Sequence, residues 1–187
     1  MDNRRLSGFI FLILLFIVGV VAGYVYFVKV FYKGSHALKN AETSNITEDF
    51  FSLRIYYPSG DGLQMEEKRL PRRTAQIAIA EATVEEFLKG PSSGITSGIS
   101  KNVKLLGIYK DIDGIFYVDL SDEFRRNFQG DAFAEILLLK GLYKSLISNM
   151  DDIQDLKVLI EGNEIETLGG HFYLLYPLKD MVSPEFY

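Results

Sequence analysis

The strongest constraint on this chain is an uninterrupted apolar segment near its N-terminus. No charged residue occurs from Leu6 to Val28, and Phe9–Val28 consists almost entirely of Leu, Ile, Val, Phe and Gly. At about 1.5 Å per residue, a helix of this length crosses a hydrocarbon core about 30 Å thick. Aromatic residues typical of a membrane interface cluster at its C-terminal end, namely Tyr24, Tyr26 and Tyr32. We therefore predict a transmembrane anchor within residues 1–33.

A cleaved signal peptide is the alternative interpretation of this segment, with Val20-Val21-Ala22 as its cleavage site. The apolar run continues to Phe31, beyond the usual length of a signal core, and this favours an anchor. Acylation of a lipoprotein cysteine is excluded because the chain contains no cysteine. A short N-terminal tail remains in the cytoplasm easily, and long downstream domains are translocated largely regardless of charge. We therefore expect a single-pass protein of a bacterial cytoplasmic membrane whose domain faces the extracytoplasmic side.

The charge of the remaining chain limits its partners. Residues 1–33 hold four of the 20 basic and one of the 25 acidic residues, which leaves 16 against 24 and a net charge of −8. Nucleic acids are bound by clusters of Lys and Arg, so an acidic domain of this kind predicts no nucleic-acid partner. The absence of cysteine also excludes disulfides and thiolate metal sites.

Residues 34–48 are small, polar and aperiodic, and we interpret them as a linker. A strand follows in which Phe51, Leu53, Ile55 and Tyr57 alternate with more polar residues. Pro58 is expected to end it, and a turn at 59–62 leads into a second strand that closes at Pro71. A helix is predicted over 72–89, where apolar residues recur at steps of three and four: Ile77, Ala80, Val84 and Phe87.

The second half of the chain repeats this order. Asp113-Gly114 marks a hairpin turn between two strands. A second long helix is predicted over 132–149, and Gly162-Asn163 then turns one further strand into the last one, at 164–168. The order β-β-α-β-β-α-β-β favours an α+β domain over residues 49–187. We expect a mainly antiparallel sheet with both helices packed on one face.

No pattern in the sequence meets the requirements of an enzyme. A calcium loop starting at Asp111 lacks the necessary glycine at its sixth position, and no G-x-S-x-G nucleophile motif is present. Asp119 and Asp122 form the best carboxylate pair, but Asp119 is better explained as a cap of the helix that follows. We predict no catalytic residue, no metal site and no cofactor.

Three stretches of the sequence together resemble the GerMN domain family of sporulation and germination proteins. They are RIYYPSGDGLQMEEKRLP at 54–71, LLGIYKDIDGIFYVDLSDEF at 105–124 and IEGNEIETLGGH at 160–171. The resemblance extends roughly from Phe51 to Leu178. It implies a non-catalytic extracytoplasmic module tethered to a bacterial membrane, in a family associated with a ring-shaped channel complex between mother cell and forespore. The chain departs from the tandem, lipid-anchored pattern, because it has one copy and no cysteine.

We therefore expect a membrane-anchored interaction or scaffold module of an envelope or sporulation-related complex. It would act by contact with a protein partner in the cell envelope or by self-association. The expected surface consists of Tyr56, Tyr57 and Tyr109, aromatic residues near sheet edges. The alternative is a sensor domain in which acids and tyrosines line a pocket for a small molecule or a glycan.

Gly169-Gly170-His171 is the one remaining candidate site. We interpret it as a structural turn in which glycine supplies backbone angles that other residues rarely adopt, with His171 in a positional role. On this interpretation Gly169→Val destabilises the fold by more than about 1 kcal/mol, because valine tolerates a positive φ poorly.

Overall fold

The structure is a computed structural model that describes residues 20–25, 49–94 and 97–182. Met1–Glu48 and Asp49–Tyr187 are separate units. The predicted linker at 34–48 and most of the predicted anchor lie outside the described residues, although residues 20–25 of the anchor are helical. No helix in the described part of the chain has both the length and the apolar character needed to cross a membrane.

The domain contains six strands and four helices among its described residues. The strands are β1 (Phe50–Ser59), β2 (Gly62–Pro71), β3 (Leu105–Lys110), β4 (Ile115–Leu120), β5 (Asp155–Ile160) and β6 (Asn163–Glu164). The helices are α1 (Gln76–Lys89), α2 (Glu123–Arg126), α3 (Ala132–Ile147) and α4 (Lys179–Val182). The predicted α+β class and the predicted order of the strands and long helices are confirmed. The short helix α2 is the one expected after Asp119, and α4 is an addition.

The strands are divided between two sheets. β1 and β2 form an antiparallel hairpin, and the other strands form a four-stranded sheet in the order β3-β4-β5-β6. Within it, β4 and β5 run parallel, while the other pairs are antiparallel. The parallel pair follows from the connection through α2 and α3, since parallel neighbours require a long crossover.

The core lies between the two sheets and the two long helices. Leu53, Ile55 and Tyr57 of β1 are buried, as the alternation in the sequence predicts. α1 contacts β1, β3 and α3. α3 has buried residues around most of its circumference and not along one stripe alone. The reason is that it lies against β1, β2, α1 and α4.

α3 takes the place of a third strand along the open edge of β1. Because β1 pairs only with β2, alternate backbone groups on its other edge point away from the hairpin. The N–H of Tyr56 donates to Ser145 Oγ at 2.9 Å. The N–H of Arg54 donates to Asn149 Oδ1 at 2.9 Å, and its carbonyl oxygen accepts from Asn149 Nδ2 at 2.8 Å. The Asn149 amide therefore replaces a peptide group of a neighbouring strand.

The spacing of these contacts follows from helix and strand geometry. Four helical residues rise about 6 Å and two strand residues about 6.6 Å, so positions i and i+4 on a helix can meet alternate residues of a strand. Gly141 lies four residues before Ser145, and a Cβ there would be 2.7 Å from the carbonyl oxygen of Tyr56. Glycine is required for this close approach. We call Gly141, Ser145 and Asn149 the edge-covering stripe.

Two predicted boundaries differ from the structure by four residues, whereas the ends of β1 (Ser59) and α3 (Ile147) differ from the predicted ones by only one or two. α1 begins at Gln76 instead of 72, because the N–H of Arg72 donates to the carbonyl oxygen of Asp49 at 2.7 Å and so continues the hairpin. The predicted last strand at 164–168 is reduced to the two residues of β6. Beyond Glu164 the chain turns toward α3, where its N–H groups find a side-chain partner instead of a strand.

Gly141→Ala tests the close contact between α3 and β1. Helix propensity alone would make alanine more stable by about 1 kcal/mol, whereas forcing a methyl group into a packed contact costs about 1–3 kcal/mol. We expect a net decrease of up to about 2 kcal/mol in the free energy of unfolding, measured by urea denaturation of the fragment 40–187. Lys140→Ala is the control and should change it by less than about 0.5 kcal/mol. Increased stability of Gly141→Ala would show that the contact is not tight.

Candidate interaction surface

Tyr57 does not belong to an exposed surface, and its assignment to the interaction surface is wrong. The side chain is fully buried, its hydroxyl group donates to the carbonyl oxygen of Glu86 at 2.8 Å, and its ring stacks on Phe87 at a centroid distance of 5.9 Å. Burial raises the pKa of Tyr57 above its ordinary value. The physical reason is strand alternation, which turns Tyr57 to the core together with Ile55 and turns Tyr56 to the opposite face.

The other two tyrosines of the predicted surface lie in different sheets. Tyr56 in β1 is half-buried, with the Nζ atom of Lys144 4.6 Å from its ring centroid. Tyr109 in β3 is 57% exposed and lies opposite Tyr117 of β4. The structure gives no contact that brings Tyr56 and Tyr109 together. A role of either residue in binding a partner remains a prediction.

Three exposed apolar side chains lie on β3 and in the turn after it. Leu106, Tyr109 and Ile112 are all exposed, and β3 is an edge strand that pairs with β4 alone. We call these three residues the β3 patch. An apolar group of this kind on a sheet edge is a favourable place for association.

The Gly169-Gly170-His171 turn closes over a fully buried carboxylate, that of Glu135. Glu135 lies in the first turn of α3, where the helix dipole favours a negative charge. Its oxygens accept the backbone N–H groups of Leu168 and His171, each at 3.2 Å. The Nδ1 atom of His171 lies 2.7 Å from Glu135 Oε2, within hydrogen-bond distance. His171 thus fixes the loop to α3.

The two glycines of this turn serve different purposes, and the predicted reason for Gly169 is wrong. The positive φ belongs to Gly170, at 95°. Gly169 is instead required by close packing, since a Cβ there would lie 2.5 Å from Phe128 Cε1 and 2.9 Å from Glu135 Oε2. Any side chain at position 169 would therefore push the loop away from Glu135.

Other carboxylates in the domain also bind backbone N–H groups at loops. Asp119 accepts from the N–H of Gly162 at 2.8 Å, across the β5–β6 turn, so it does not cap the following helix as the sequence had indicated. The N-cap position of α2 is occupied by Asp122, and its side chain accepts no hydrogen bond from the first turn of the helix. Asp111 at the β3–β4 turn and Asp131 at the start of α3 bind further backbone N–H groups, and Asp155 of β5 accepts the N–H of Lys179 at the start of α4.

Glu66 likewise binds backbone N–H groups, those of the loop after α1. Its carboxylate accepts from Lys68 Nζ at 2.8 Å, from the backbone N–H groups of Ser92 and Ser93 at 3.0 and 3.1 Å, and from Ser92 Oγ at 2.7 Å. The bond from Lys68, followed by those from the serines, holds the pKa of Glu66 far below its ordinary value.

A cleft of about 630 Å³ opens beside α3. Its lining combines the tip of the β1–β2 hairpin, one face of α3, the loop after the glycine turn, and α4. The lining residues are Asp61, Gly62, Leu63, Phe133, Ile136, Leu137, Lys140, Lys144, Phe172, Met181 and Val182. We call this the α3 cleft.

Glu135, the edge-covering stripe and the α3 cleft were not predicted from the sequence. A signal for Glu135 was present, because this acid lies four and seven residues before Leu139 and Leu142 and therefore on the buried side of its helix. The four-residue spacing of Gly141, Ser145 and Asn149 was a second signal. No signal in the sequence indicated the cleft, because its lining residues come from four segments that are far apart along the chain.

The sequence matches the model of the Germane family, described as sporulation and spore germination, over residues 54–166. The match covers more than half of the 187 residues. The chain belongs to the Germane family. No curated protein matches the sequence.

Solved structures share the fold of this Germane domain and confirm the predicted resemblance to GerMN domains. One is titled "Putative Lipoprotein from Clostridium perfringens": it has a TM-score of 0.50 at 20% identity, over 72% of this chain and 90% of that chain. The tandem GerMN domains of the sporulation protein GerM from Bacillus subtilis give 0.52 at 17% identity, over 71% and 48%. The first of those domains alone gives 0.50 at 15% identity, over 67% and 94%. The chain thus spans about half of the tandem structure.

Substitutions at the two glycines separate close packing from backbone strain. Gly169→Ala should lower the free energy of unfolding by about 1–3 kcal/mol, because its methyl group overlaps Phe128. Gly170→Ala should cost about 1 kcal/mol through its positive φ alone, since nothing lies within 4 Å of its added Cβ. Urea unfolding of both variants, each also combined with Phe128→Ala, gives the measurement. Phe128→Ala should relieve the effect at position 169 but leave that at 170 unchanged; equal relief at both sites would contradict this assignment.

The lowered pKa of Glu66 makes stability depend on pH. A carboxyl group with a lowered pKa in the folded state contributes stability above its unfolded pKa of about 4.3, and this contribution is lost as the pH falls toward the folded value. Glu66→Gln should therefore lower the urea midpoint at pH 7 and reduce its fall between pH 5 and pH 3. Glu67→Gln, on the exposed neighbour in β2, is the matched control. An unchanged pH profile in Glu66→Gln would refute the assignment.

Proposed function

We propose that this protein is a non-catalytic interaction or scaffold module of a bacterial envelope complex, held at the cytoplasmic membrane by residues 9–28, with the Germane domain on the extracytoplasmic side. The observation that carries the proposal is the β3 patch, which exposes two large apolar side chains on an edge strand and a third in the turn after it. Water-exposed apolar groups of this kind gain free energy when a partner covers them.

The use of the carboxylates supports a non-catalytic role. A general acid or base needs a carboxyl group aimed at a substrate within hydrogen-bond reach. In the described part of the domain, Glu135, Asp119, Asp111 and Glu66 each accept backbone N–H groups within the chain. Their oxygens hold loops in place, which is a structural use of acids that the sequence alone presents as candidate catalysts.

The family description and the relatives support the setting of the proposal. The Germane family is described by sporulation and spore germination, and the similar structures include a protein titled as a lipoprotein and a sporulation protein. We extend the envelope setting to this chain because its N-terminus contains an apolar segment long enough to span a bilayer. The partner is a protein of the envelope or a second copy of the chain.

A small-molecule or glycan sensor is the second candidate function, and the α3 cleft favours it. Its volume of about 630 Å³ lies within the range of about 300–1,000 Å³ found for small-ligand sites. A ligand bound only by the folded state raises the melting temperature. A saccharide that raises it in wild type but not in Ile136→Asp would favour the sensor over the scaffold.

The absence of cysteine allows one experiment to test both the location and the contact. Tyr109→Cys introduces a single thiol at an exposed position, and Arg69→Cys on β2 is the matched control. In intact cells, a membrane-impermeant maleimide should label position 69 without lysis, because the domain lies on the extracytoplasmic side, and should label position 109 only where no partner covers it. A benzophenone maleimide should then produce a defined cross-linked adduct from position 109 and little from position 69, because the partner covers the β3 patch.

The adduct should disappear in Leu106→Glu, whose unfolding midpoint should stay close to that of wild type because Leu106 is exposed. Sedimentation of the fragment 40–187 over a range of concentrations identifies whether the partner is a second copy. Labelling of position 69 only after lysis would contradict the extracytoplasmic location. Equal adduct yields from positions 69 and 109 would contradict the β3 patch as the contact.

A further inference from the structure

The α3 cleft is a second surface, separate from the β3 patch. Its floor is one face of α3, where the lining residues recur at steps of three and four from Phe133 to Lys144. This face is about 16 Å long, at about 1.5 Å per residue. The hairpin tip forms one wall of the cleft through Leu63, and the C-terminal loop and α4 form the other through Phe172 and Met181.

The face of α3 that forms the floor is apolar toward its N-terminal end and cationic toward its C-terminal end. Phe133 is 51% exposed, and Ile136 is also accessible. Lys140 and Lys144 follow on the same face, and neither forms a salt bridge with another described residue. Asp61 is the one acid among the lining residues. The cleft therefore has a positive excess in a domain whose net charge from residue 34 onward is 16 − 24 = −8.

We infer that the α3 cleft binds an amphipathic segment of a partner protein, with an apolar face directed at Phe133 and Ile136 and acidic side chains directed at Lys140 and Lys144. A groove along a helix face, of about three turns, matches the size of a docked helical segment with anchors at three- and four-residue spacing. Small-ligand sites have several converging polar groups that fix orientation, whereas the polar groups on this floor are the ammonium groups of Lys140 and Lys144. Opposite charge supplies the selectivity, since it favours acidic segments over basic ones.

The test uses the full-length chain in phosphatidylcholine nanodiscs and two fluorescein-labelled peptides of about twelve residues. Both peptides have leucine at helical spacing, and their polar positions are glutamate in one and lysine in the other. Empty nanodiscs are the blank. By fluorescence anisotropy, the glutamate peptide should bind at least about tenfold more tightly than the lysine peptide, because two charge pairs change from attractive to repulsive.

Charge reversal localises the binding. Lys140→Glu combined with Lys144→Glu should invert the preference between the two peptides. Lys101→Glu combined with Lys104→Glu makes the same change of charge on exposed residues outside the cleft and should leave it unaltered. The unfolding midpoint of each variant is measured as well, and Lys140→Gln with Lys144→Gln replaces the charge-reversed pair if that pair fails to fold. The glutamine pair should abolish the preference.

Several outcomes would overturn the inference. Equal affinity for both peptides, or the same effect from the control pair, would show that the cleft does not select acidic segments. Val182 lines the cleft and residues 183–187 follow it in sequence. If their removal is needed before the glutamate peptide binds, the occupant is the chain itself. If the chain forms a dimer that the charge-reversed pair dissociates, the occupant is a second copy. These outcomes leave the β3 patch untouched, so they are distinguishable from failure of the proposed function.

Discussion

The contact between α3 and the edge of β1 is the constraint on which the rest of the domain depends. A two-stranded hairpin is marginal by itself, and its outer N–H and C=O groups attract other strands. The edge-covering stripe satisfies β1 with Ser145 and Asn149, and Gly141 admits the helix to contact distance. With that edge occupied by a helix, β1 cannot pair with a strand of the four-stranded sheet. α3 is therefore fixed as the central element, and its remaining faces carry Glu135 and the cleft.

The acidic residues of the domain have a structural role that the net charge of the domain does not reveal. Carboxylates are strong acceptors, and loops contain N–H groups that no strand or helix satisfies. Glu135, Asp119, Asp111 and Glu66 each bind such groups at a different loop. The Gly169-Gly170-His171 turn is the clearest example, since the backbone N–H of His171 donates to the buried acid Glu135 at the start of α3. The residues that suggest a catalytic site in the sequence form a structural contact that holds a loop against α3.

Strand alternation and helical periodicity were sufficient to predict most of the elements. They placed Tyr57 in the core together with Leu53 and Ile55, and the error over Tyr57 arose from counting aromatic residues near an edge without applying that alternation. The end of the last strand could not be predicted, because it depends on Glu135, which lies about thirty residues earlier in the chain and removes the N–H group of Leu168 from strand pairing. The two glycines of the turn look alike in sequence, and only their neighbours distinguish steric need from a positive φ.

The sequence by itself determined the α+β class, the order of the strands and long helices, the family and the apolar N-terminal segment, because these depend on local periodicity, turn residues and composition. Tertiary structure alone decided that the strands divide into two sheets, that the acids serve as backbone acceptors, and that a cleft forms beside α3. The physical reason is distance along the chain. Each of these features joins residues separated by dozens of positions, such as Arg54 and Asn149 or Glu135 and His171, and their meeting depends on how whole elements pack.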